Sequence, residues 1–239
     1  MSQTASMWII IFLTLIPLSF HSGCATLKGV HEPAHVPVVF QPIFLNCSPM
    51  DRDAVLTVKK SGSRVFTSDM VWSIPDTNSA EIQFNSLLGD TVLHAQRRLP
   101  KWNVSGTGNL EISESIKGIV SINGFELPIL GEEVGCILAG TWPSAWLRQL
   151  FLRDSTGSSL SMVGADDFRD FEVAMTLAHR PQSARSDDIQ SCAMLKWGGF
   201  LGIMGHKVSI CREQTSEGLR VSLSGINDYL IEWVIQNES

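Results

Sequence analysis

The chain has 239 residues, of which 44% are hydrophobic and 18% charged, and its formal net charge is −6. This length suits one large domain or two small ones, and the low charged fraction excludes a disordered or coiled-coil chain. The acidic balance provides no basic surface, so nucleic acid is not an expected partner. The chain has seven Trp and eleven Phe but one Tyr, which indicates that large aromatic side chains without a hydroxyl group are favoured.

An uncharged apolar run from Trp8 to Phe20 comes first in the chain. It is shorter than the about 20 residues that a membrane-spanning helix needs, and it is typical of a secretory signal. Residues 21–25, His-Ser-Gly-Cys-Ala, place small residues before a cysteine, as at a bacterial lipoprotein cleavage site. His21 stands where Leu is usual, and no Lys or Arg precedes the run. We expect residues 1–23 to be removed and Cys24 to carry the lipid; an ordinary cleaved signal and an uncleaved anchor are the alternatives.

Residues 24–42 carry three Pro and one Gly without sustained periodicity, which predicts a lipidated tether. Ala25 occupies the position where Asp usually retains a lipoprotein at the inner membrane. The sequence is therefore compatible with a lipid-anchored protein of the bacterial outer membrane that faces the periplasm. Residues 43–239 are predicted to form a single domain.

The four further cysteines are widely spaced and include no CxxC pair, so a zinc site is not expected. An even number of cysteines in an exported chain permits disulfides, and buried free thiols are the alternative. If one bridge forms, we expect Cys192–Cys211, since both residues lie in adjacent predicted strands. The four cysteines are Cys47, Cys136, Cys192 and Cys211.

Hydrophobic residues alternate with polar ones along much of the chain, which predicts strands with one dry and one wet face. Such strands are typical of an antiparallel sheet, so the expected class is mainly β, as a meander, sandwich or barrel. The clearest segments are residues 65–74, 81–84, 171–177, 219–224 and 229–235.

Apolar residues at spacings of three and four over residues 130–152 predict a helical insert. The better helix is expected from Pro143 to Leu152, with Thr141 as its N-cap and Pro143 in its first turn. Such a helix could cover the open side of a curled sheet. The glycine-rich segment 197–205 reads equally as a hydrophobic turn between two strands and as a bulged strand.

Few residues carry a chemical signature. The chain has no Gly-x-Ser-x-Gly and no HExxH motif. His94, His179 and His206 are not paired at metal-ligand spacing, and each is more typical of a surface or strand histidine. We expect no enzyme, no cofactor and no metal; a cleft that gathered one of these histidines with a Ser or a carboxylate would favour a hydrolase instead.

Two short motifs resemble a known family. Strands over residues 64–74 and 80–84 are followed by Asn-Ser-Leu-Leu-Gly at residues 85–89, where the LolB group of outer-membrane lipoproteins has an Asn-Pro-Leu-Gly turn with a projecting Leu. Leu88 falls on that Leu. Residues 141–147, Thr-Trp-Pro-Ser-Ala-Trp-Leu, are similar to the Trp-Pro-x-x-x-Leu of small LolB-like lipoproteins encoded in aryl-polyene biosynthesis clusters. Residues 100–115 and 154–215 are patterned differently from the family.

The resemblance implies an open antiparallel half-barrel with a short helical lid over an apolar cavity, as in LolA and LolB. It further implies binding of acyl chains, receipt of lipoprotein cargo from a periplasmic carrier, and assistance in its transfer or insertion. Leu87 and Leu88 would contact the membrane or a partner; the alternative is that this pair packs within its hairpin. The residues expected to line the cavity are Phe66, Met70, Trp72, Ile82, Phe84, Trp142 and Trp146.

The same apolar faces also suit a second reading, in which a close-packed core fills the interior. The protein would then be a structural or accessory envelope lipoprotein that binds a protein partner.

Overall fold

The computed structural model describes residues 33–236, apart from 87, 100, 108–110, 157, 178–188, 199–204 and 227. Residues 1–23 and Cys24 lie outside this part of the chain, so the signal and the lipidation site stay predictions. One compact unit begins at Pro33.

The domain starts ten residues earlier than the boundary at 43 that the sequence pattern indicated. A 3-10 helix over Val38–Ile43 buries Phe40 and Ile43, and Val36 just before it is also buried. The Ala34 N–H donates to the Leu150 carbonyl. Residues 33–42 therefore pack as part of the domain, because their apolar side chains outweigh the loop-like Pro content.

The described residues form seventeen strands in three sheets. In chain order, the strands are β1 Phe44–Leu45, β2 Met50–Lys60, β3 Ser63–Asp76, β4 Ser79–Asn85, β5 Thr91–Arg98, β6 Lys101–Gly106, β7 Ile112–Glu114, β8 Ile119–Ile122, β9 Phe125–Leu130, β10 Trp142–Pro143, β11 Leu150–Thr156, β12 Ser159–Ala165, β13 Arg169–Leu177, β14 Ile189–Trp197, β15 His206–Gln214, β16 Leu219–Ile226 and β17 Tyr229–Ile235.

The large sheet has twelve strands in the order β11-β12-β13-β14-β15-β16-β17-β2-β3-β4-β5-β6, all antiparallel. Two meanders, β2 to β6 and β11 to β17, are joined where the last strand β17 pairs with β2. Because β6 and β11 remain edge strands, the sheet is not closed. The predicted mainly β class with one open antiparallel sheet is confirmed.

Period-two alternation gives this sheet one buried face, as the sequence predicts. In β13, Phe171, Val173 and Met175 are at most 2% exposed, while Glu172 and Ala174 between them face outward. The same alternation places Met70, Trp72 and Ile74 on the dry face of β3. Each one-sided strand thus contributes to a single core.

The apolar face is covered by residues 112–148, which we call the cover. It contains the three-stranded sheet β7-β8-β9, a 3-10 helix over Gly131–Glu133, a one-turn helix α1 over Val134–Leu138, and a second 3-10 helix over Ser144–Arg148. β10 within it pairs in parallel with β1.

The prediction of a helix from Pro143 to Leu152 is wrong beyond Arg148, where the 3-10 helix ends. From Leu150 the chain is strand β11, with Leu150 opposite Gly164 and Phe151 opposite Val163. The helical spacing of these apolar residues is overridden by pairing with β12, which supplies both hydrogen bonds and a buried position for Leu150. Thr141 does not cap this helix; its hydroxyl donates to the Cys136 carbonyl instead.

The four cysteines form two disulfides rather than free thiols. Cys192–Cys211 joins directly opposite residues of β14 and β15, as predicted, and Cys47–Cys136 ties the N-terminal segment to α1. β14 ends at Trp197 and β15 begins at His206, so the glycine-rich segment connects two antiparallel strands. Its residues 199–204 lie outside the described part.

Gly225 forms a bulge in β16 that only glycine fits. The register with β17 shifts at this residue, its φ is +101°, and a Cβ added there would lie 2.3 Å from the Lys207 carbonyl oxygen. Gly62 has a similar φ of +83° but no atom within 4 Å of such a Cβ.

We expect Gly225→Ala to lower the free energy of unfolding by about 2–5 kcal/mol, because left-handed strain adds to a backbone clash. Gly62→Ala, which carries the strain without the clash, should cost about 1–2 kcal/mol. Urea unfolding of both variants measures the difference, and equal losses would contradict the steric account.

Candidate functional site

Five of the seven residues expected to line a ligand cavity lie in one continuous apolar cluster, on the buried face of the sheet and on the cover. Trp72 of β3 lies opposite Ile82 of β4, and Trp142 stacks on Trp146 with ring centroids 6.0 Å apart. Trp72, Met70 and Trp146 are 1% exposed and Trp142 is fully buried. These side chains fill the space between sheet and cover.

The two phenylalanines of the predicted set are more exposed. Phe66, near the start of β3, is 38% exposed, and Phe84, opposite Met70 on β4, is half-buried. Both lie toward the end of the sheet where the β4–β5 turn carries Leu88. The predicted site residues therefore form a buried group and a more exposed rim, Phe66 and Phe84, rather than the uniform wall of a cavity.

Three cavities bounded by described residues lie away from the predicted ligand site. One of about 460 Å³ is lined by charged residues such as Asp166, Asp170 and Lys196 at the ends of β12 to β15. Others of about 370 and 270 Å³ lie beside Cys47–Cys136 and around Ser73 and Arg98. Neither Met70 nor the tryptophans of the predicted set line any of these three.

A buried ion pair fastens the cover to the sheet. Glu133, in the first 3-10 helix of the cover, accepts hydrogen bonds from Arg169 Nη1 at 2.8 Å and Nη2 at 2.5 Å. Arg169 is 3% exposed and Glu133 4%. The Trp146 indole N–H and the Leu130 backbone N–H also donate to this carboxylate, at 2.6 and 2.9 Å. All oxygen positions of Glu133 are thus engaged, which a buried carboxylate requires.

Arg169 is held from several sides besides Glu133. Its guanidinium lies over the rings of Trp146 and Phe168, 5.2 and 4.7 Å from their centroids, and its Nε donates to Asp166 at 3.0 Å. Its Nη1 also donates to the Pro128 carbonyl. This pair has no signature in the sequence, because Arg169 lies in an apolar strand and Glu133 is 36 residues away from it.

A second ion pair fastens the three-stranded sheet of the cover. Glu114 of β7 binds Arg97 of β5 with both oxygens at 2.8 Å, and both side chains are at most 3% exposed. The Arg97 Nη1 donates to the Thr77 carbonyl and the Trp102 indole donates to Glu114. Nearby, hydrogen bonds from the Ser79 side chain and the Asn78 N–H lower the pKa of Asp76.

Trp72 differs from the other core tryptophans in the hydrogen bonding of its indole N–H. Trp142 donates to Ser191 at 3.2 Å and Trp233 to the Leu138 carbonyl at 2.7 Å, besides the bonds of Trp146 and Trp102 to glutamates. In the part of the chain that the structure describes, the Trp72 N–H has no hydrogen-bond partner although the residue is 1% exposed. An unpaired buried donor costs about 1–3 kcal/mol, so an acceptor at this position would be stabilised.

The β4–β5 turn presents Leu88 to solvent. Leu88 is 90% exposed, while Leu87 lies outside the described residues. Ser86 orders the turn: its hydroxyl accepts from the N–H groups of Leu88 and Asp90, and its carbonyl accepts from Gly89. Single exposed apolar side chains are ordinary on protein surfaces, and Ile116 and Val38 are others here. What distinguishes Leu88 is its position in the turn that the sequence resemblance predicts as a membrane contact.

One of the three histidines, His206, lines the cavity of about 460 Å³ together with Asp166 and Asp170, so the hydrolase alternative keeps one candidate cleft. His94 Nε2 lies 2.8 Å from Glu81 on the solvent face of the sheet, and His206 packs against Trp197. His179 lies outside the described part. Within the described ranges no cluster of His, Cys, Asp and Glu has metal-binding geometry, and no helix there is long and apolar enough to cross a bilayer.

No family model matches the chain, and no curated protein matches it. Among solved structures, the chain is similar to LolA superfamily protein NE2245 from Nitrosomonas europaea. The TM-score is 0.39 and the identity 5%, over 83% of this chain and 89% of that chain. A likeness of this size carries no argument about ancestry or function, so the LolB resemblance and its link to aryl-polyene clusters stay predictions.

We expect Glu133→Ala to lower the free energy of unfolding by about 3–5 kcal/mol, because Arg169 would remain buried without its counter-charge. Glu132 is its exposed neighbour on the same turn, and Glu132→Ala should change stability by less than about 0.5 kcal/mol. Urea unfolding measures both. Similar effects of the two substitutions would mean that the ion pair does not fasten the cover.

Proposed function

We propose that this protein is a non-enzymatic lipoprotein of the bacterial outer membrane that binds acyl chains and assists the transfer or insertion of lipoproteins or lipid-linked products. The single observation that carries the proposal is Leu88, a fully presented apolar side chain on an ordered turn.

Leu88 suits insertion into a lipid surface. Transfer of a Leu side chain from water into an apolar phase is worth about 1.5–3 kcal/mol. The Ser86 hydrogen bonds already order the turn in water, so little conformational entropy is lost on insertion. Phe66, toward the same end of the sheet, is a further exposed apolar side chain.

The acyl-chain site proposed between sheet and cover is lined by Met70, Trp72, Ile82, Trp142 and Trp146, with Phe66 and Phe84 at its rim. The Trp72 N–H supports this assignment, because a carbonyl or carboxylate oxygen at the end of an acyl chain could accept its unused hydrogen bond. The chain itself would displace core side chains, and the flexible Met70 is suited to such repacking.

The proposed lipid on Cys24 would keep this surface near the bilayer. Eight residues, 25–32, separate it from the first residue of the compact unit, Pro33. Fully extended, they span at most about 26–29 Å. A domain held this close meets the membrane repeatedly, and a periplasmic carrier delivering cargo would find it there.

Close packing favours a second candidate function, an accessory envelope lipoprotein with a filled core and a protein partner. Trp142 and Trp146 are stacked and completely buried, and the Glu133–Arg169 pair holds their segment in place. In this case Leu88 would contact a protein rather than lipid. The two candidates differ in whether the isolated protein binds acyl chains.

For the membrane contact, we expect Leu88→Ser to weaken binding to phosphatidylethanolamine–phosphatidylglycerol vesicles about tenfold or more, from the lost transfer energy. The measurement is vesicle co-sedimentation of a chain that begins at Ala25, so that no lipid anchor masks the effect. Leu99→Ser is the matched control, because Leu99 is 53% exposed beyond the other end of the same strand, β5. Equal binding by all three proteins would exclude the Leu88 contact.

For the acyl-chain site, we expect the protein to bind hexadecanoate in calorimetric titration and Trp72→Phe to weaken that binding about tenfold, since a hydrogen bond to a charged group is worth about 1.5–3 kcal/mol. Trp233→Phe is the control: it breaks a hydrogen bond to Leu138 but lies outside the proposed site. It should lower stability more than Trp72→Phe does and leave the affinity unchanged. Failure of the unsubstituted protein to bind any acyl chain would favour the filled-core candidate.

A further inference from the structure

The two disulfides occupy opposite environments. Cys47 of the N-terminal segment and Cys136 of α1 are 8% and 3% exposed, beside the cavity of about 370 Å³. Cys192 is exposed and Cys211 half-buried, and both lie on the solvent face of the large sheet. Access to sulfur is one of the factors that set the rate at which a thiolate attacks a disulfide, and it favours attack on Cys192–Cys211.

The surface around Cys192–Cys211 leaves an approach open. The register places Ala174 beside Cys192 and Ser222 beside Cys211, so that small side chains flank the bond across the strands. On β15, the next outward-facing residue toward its N-terminus is Ser209, which is also small. The other outward-facing neighbours are larger: Gln190 and Met194 on β14 and Glu213 on β15, with Gln190 donating to Glu213. The open approach is therefore across the strands, over Ala174 and Ser222.

The sheet does not depend on this bond. β14 and β15 are paired along seven residue pairs, from Ser191–Arg212 to Trp197–His206, and each also pairs with a further strand. On the other face, Ala193 and Ile210 are fully buried. Main-chain hydrogen bonds and burial hold the two strands in register once the sulfurs separate.

We propose that Cys192–Cys211 is a site of thiol–disulfide exchange with an exported dithiol oxidoreductase, whereas Cys47–Cys136 is a permanent cross-link. The partner's thiolate attacks Cys192 Sγ, a mixed disulfide forms, and Cys211 leaves as a thiolate that takes up a proton. The partner's second thiol then displaces Cys192. In the overall reaction, this protein's disulfide becomes a dithiol and the partner's dithiol becomes a disulfide.

The outcome of this exchange does not depend on acyl-chain binding. The direct test is stepwise reduction of the folded full-length chain with dithiothreitol, quenching with iodoacetamide, and peptide mass spectrometry of the modified cysteines. We expect Cys192 and Cys211 to be modified at least about tenfold faster than Cys47 and Cys136, with the thermal unfolding transition retained at that stage. Simultaneous reduction of both disulfides, or reduction only on unfolding, would overturn the proposal.

A pair of single variants tests which sulfur is attacked. Cys211→Ser leaves Cys192 as a thiol on the exposed position, and Cys192→Ser leaves Cys211 on the half-buried one. We expect the Cys192 thiol to react with 5,5′-dithiobis(2-nitrobenzoate) several times faster than the Cys211 thiol. Equal or reversed rates would contradict attack at Cys192, and a loss of folding in either variant would contradict the independence of the sheet from the bond.

Discussion

The four hydrogen bonds received by the Glu133 carboxylate determine how the core is closed. An open sheet with one apolar face has to be covered, and apolar packing alone permits many positions of a cover because it is non-directional. Glu133 accepts two bonds from Arg169, one from Trp146 and one from Leu130. Any shift of the cover would leave buried charges without partners, so the ion pair selects one position even where its net contribution to stability is small.

The remaining ties act at other points of the same cover. Arg97–Glu114 fastens its three-stranded sheet to β5, and Cys47–Cys136 fastens α1 to the N-terminal segment. Because the cover is held at three separated places, the proposed acyl chain would have to find room by rearranging side chains rather than by lifting the cover as a whole. Leu88 lies on a turn of the large sheet, outside the cover, so the proposed membrane contact would not disturb the packing of the core.

The sequence predicted the elements whose pattern is local. Alternation of Phe171, Val173 and Met175 suffices to define β13, since a strand with one buried face must repeat every two residues. It misjudged Leu150 because the choice between helix and strand there depends on β12, which follows later in the chain. Glu133 and Arg169 could not be recognised at all: a buried pair has meaning only once the fold brings the two charges together, and no short spacing encodes it.

The tryptophans show where composition misleads. Their excess over Tyr was read as a demand for bulk without a polar tip, yet Trp142, Trp146 and Trp233 each use the indole N–H to bind an oxygen inside the core. Trp supplies a large ring together with a single donor, and so can link the cover to a specific acceptor without introducing a hydroxyl that also needs a donor. Trp72 does not use its indole N–H in this way. It occupies an equally buried position without an acceptor in the described part of the chain, and an oxygen of the proposed acyl-chain ligand would supply that acceptor.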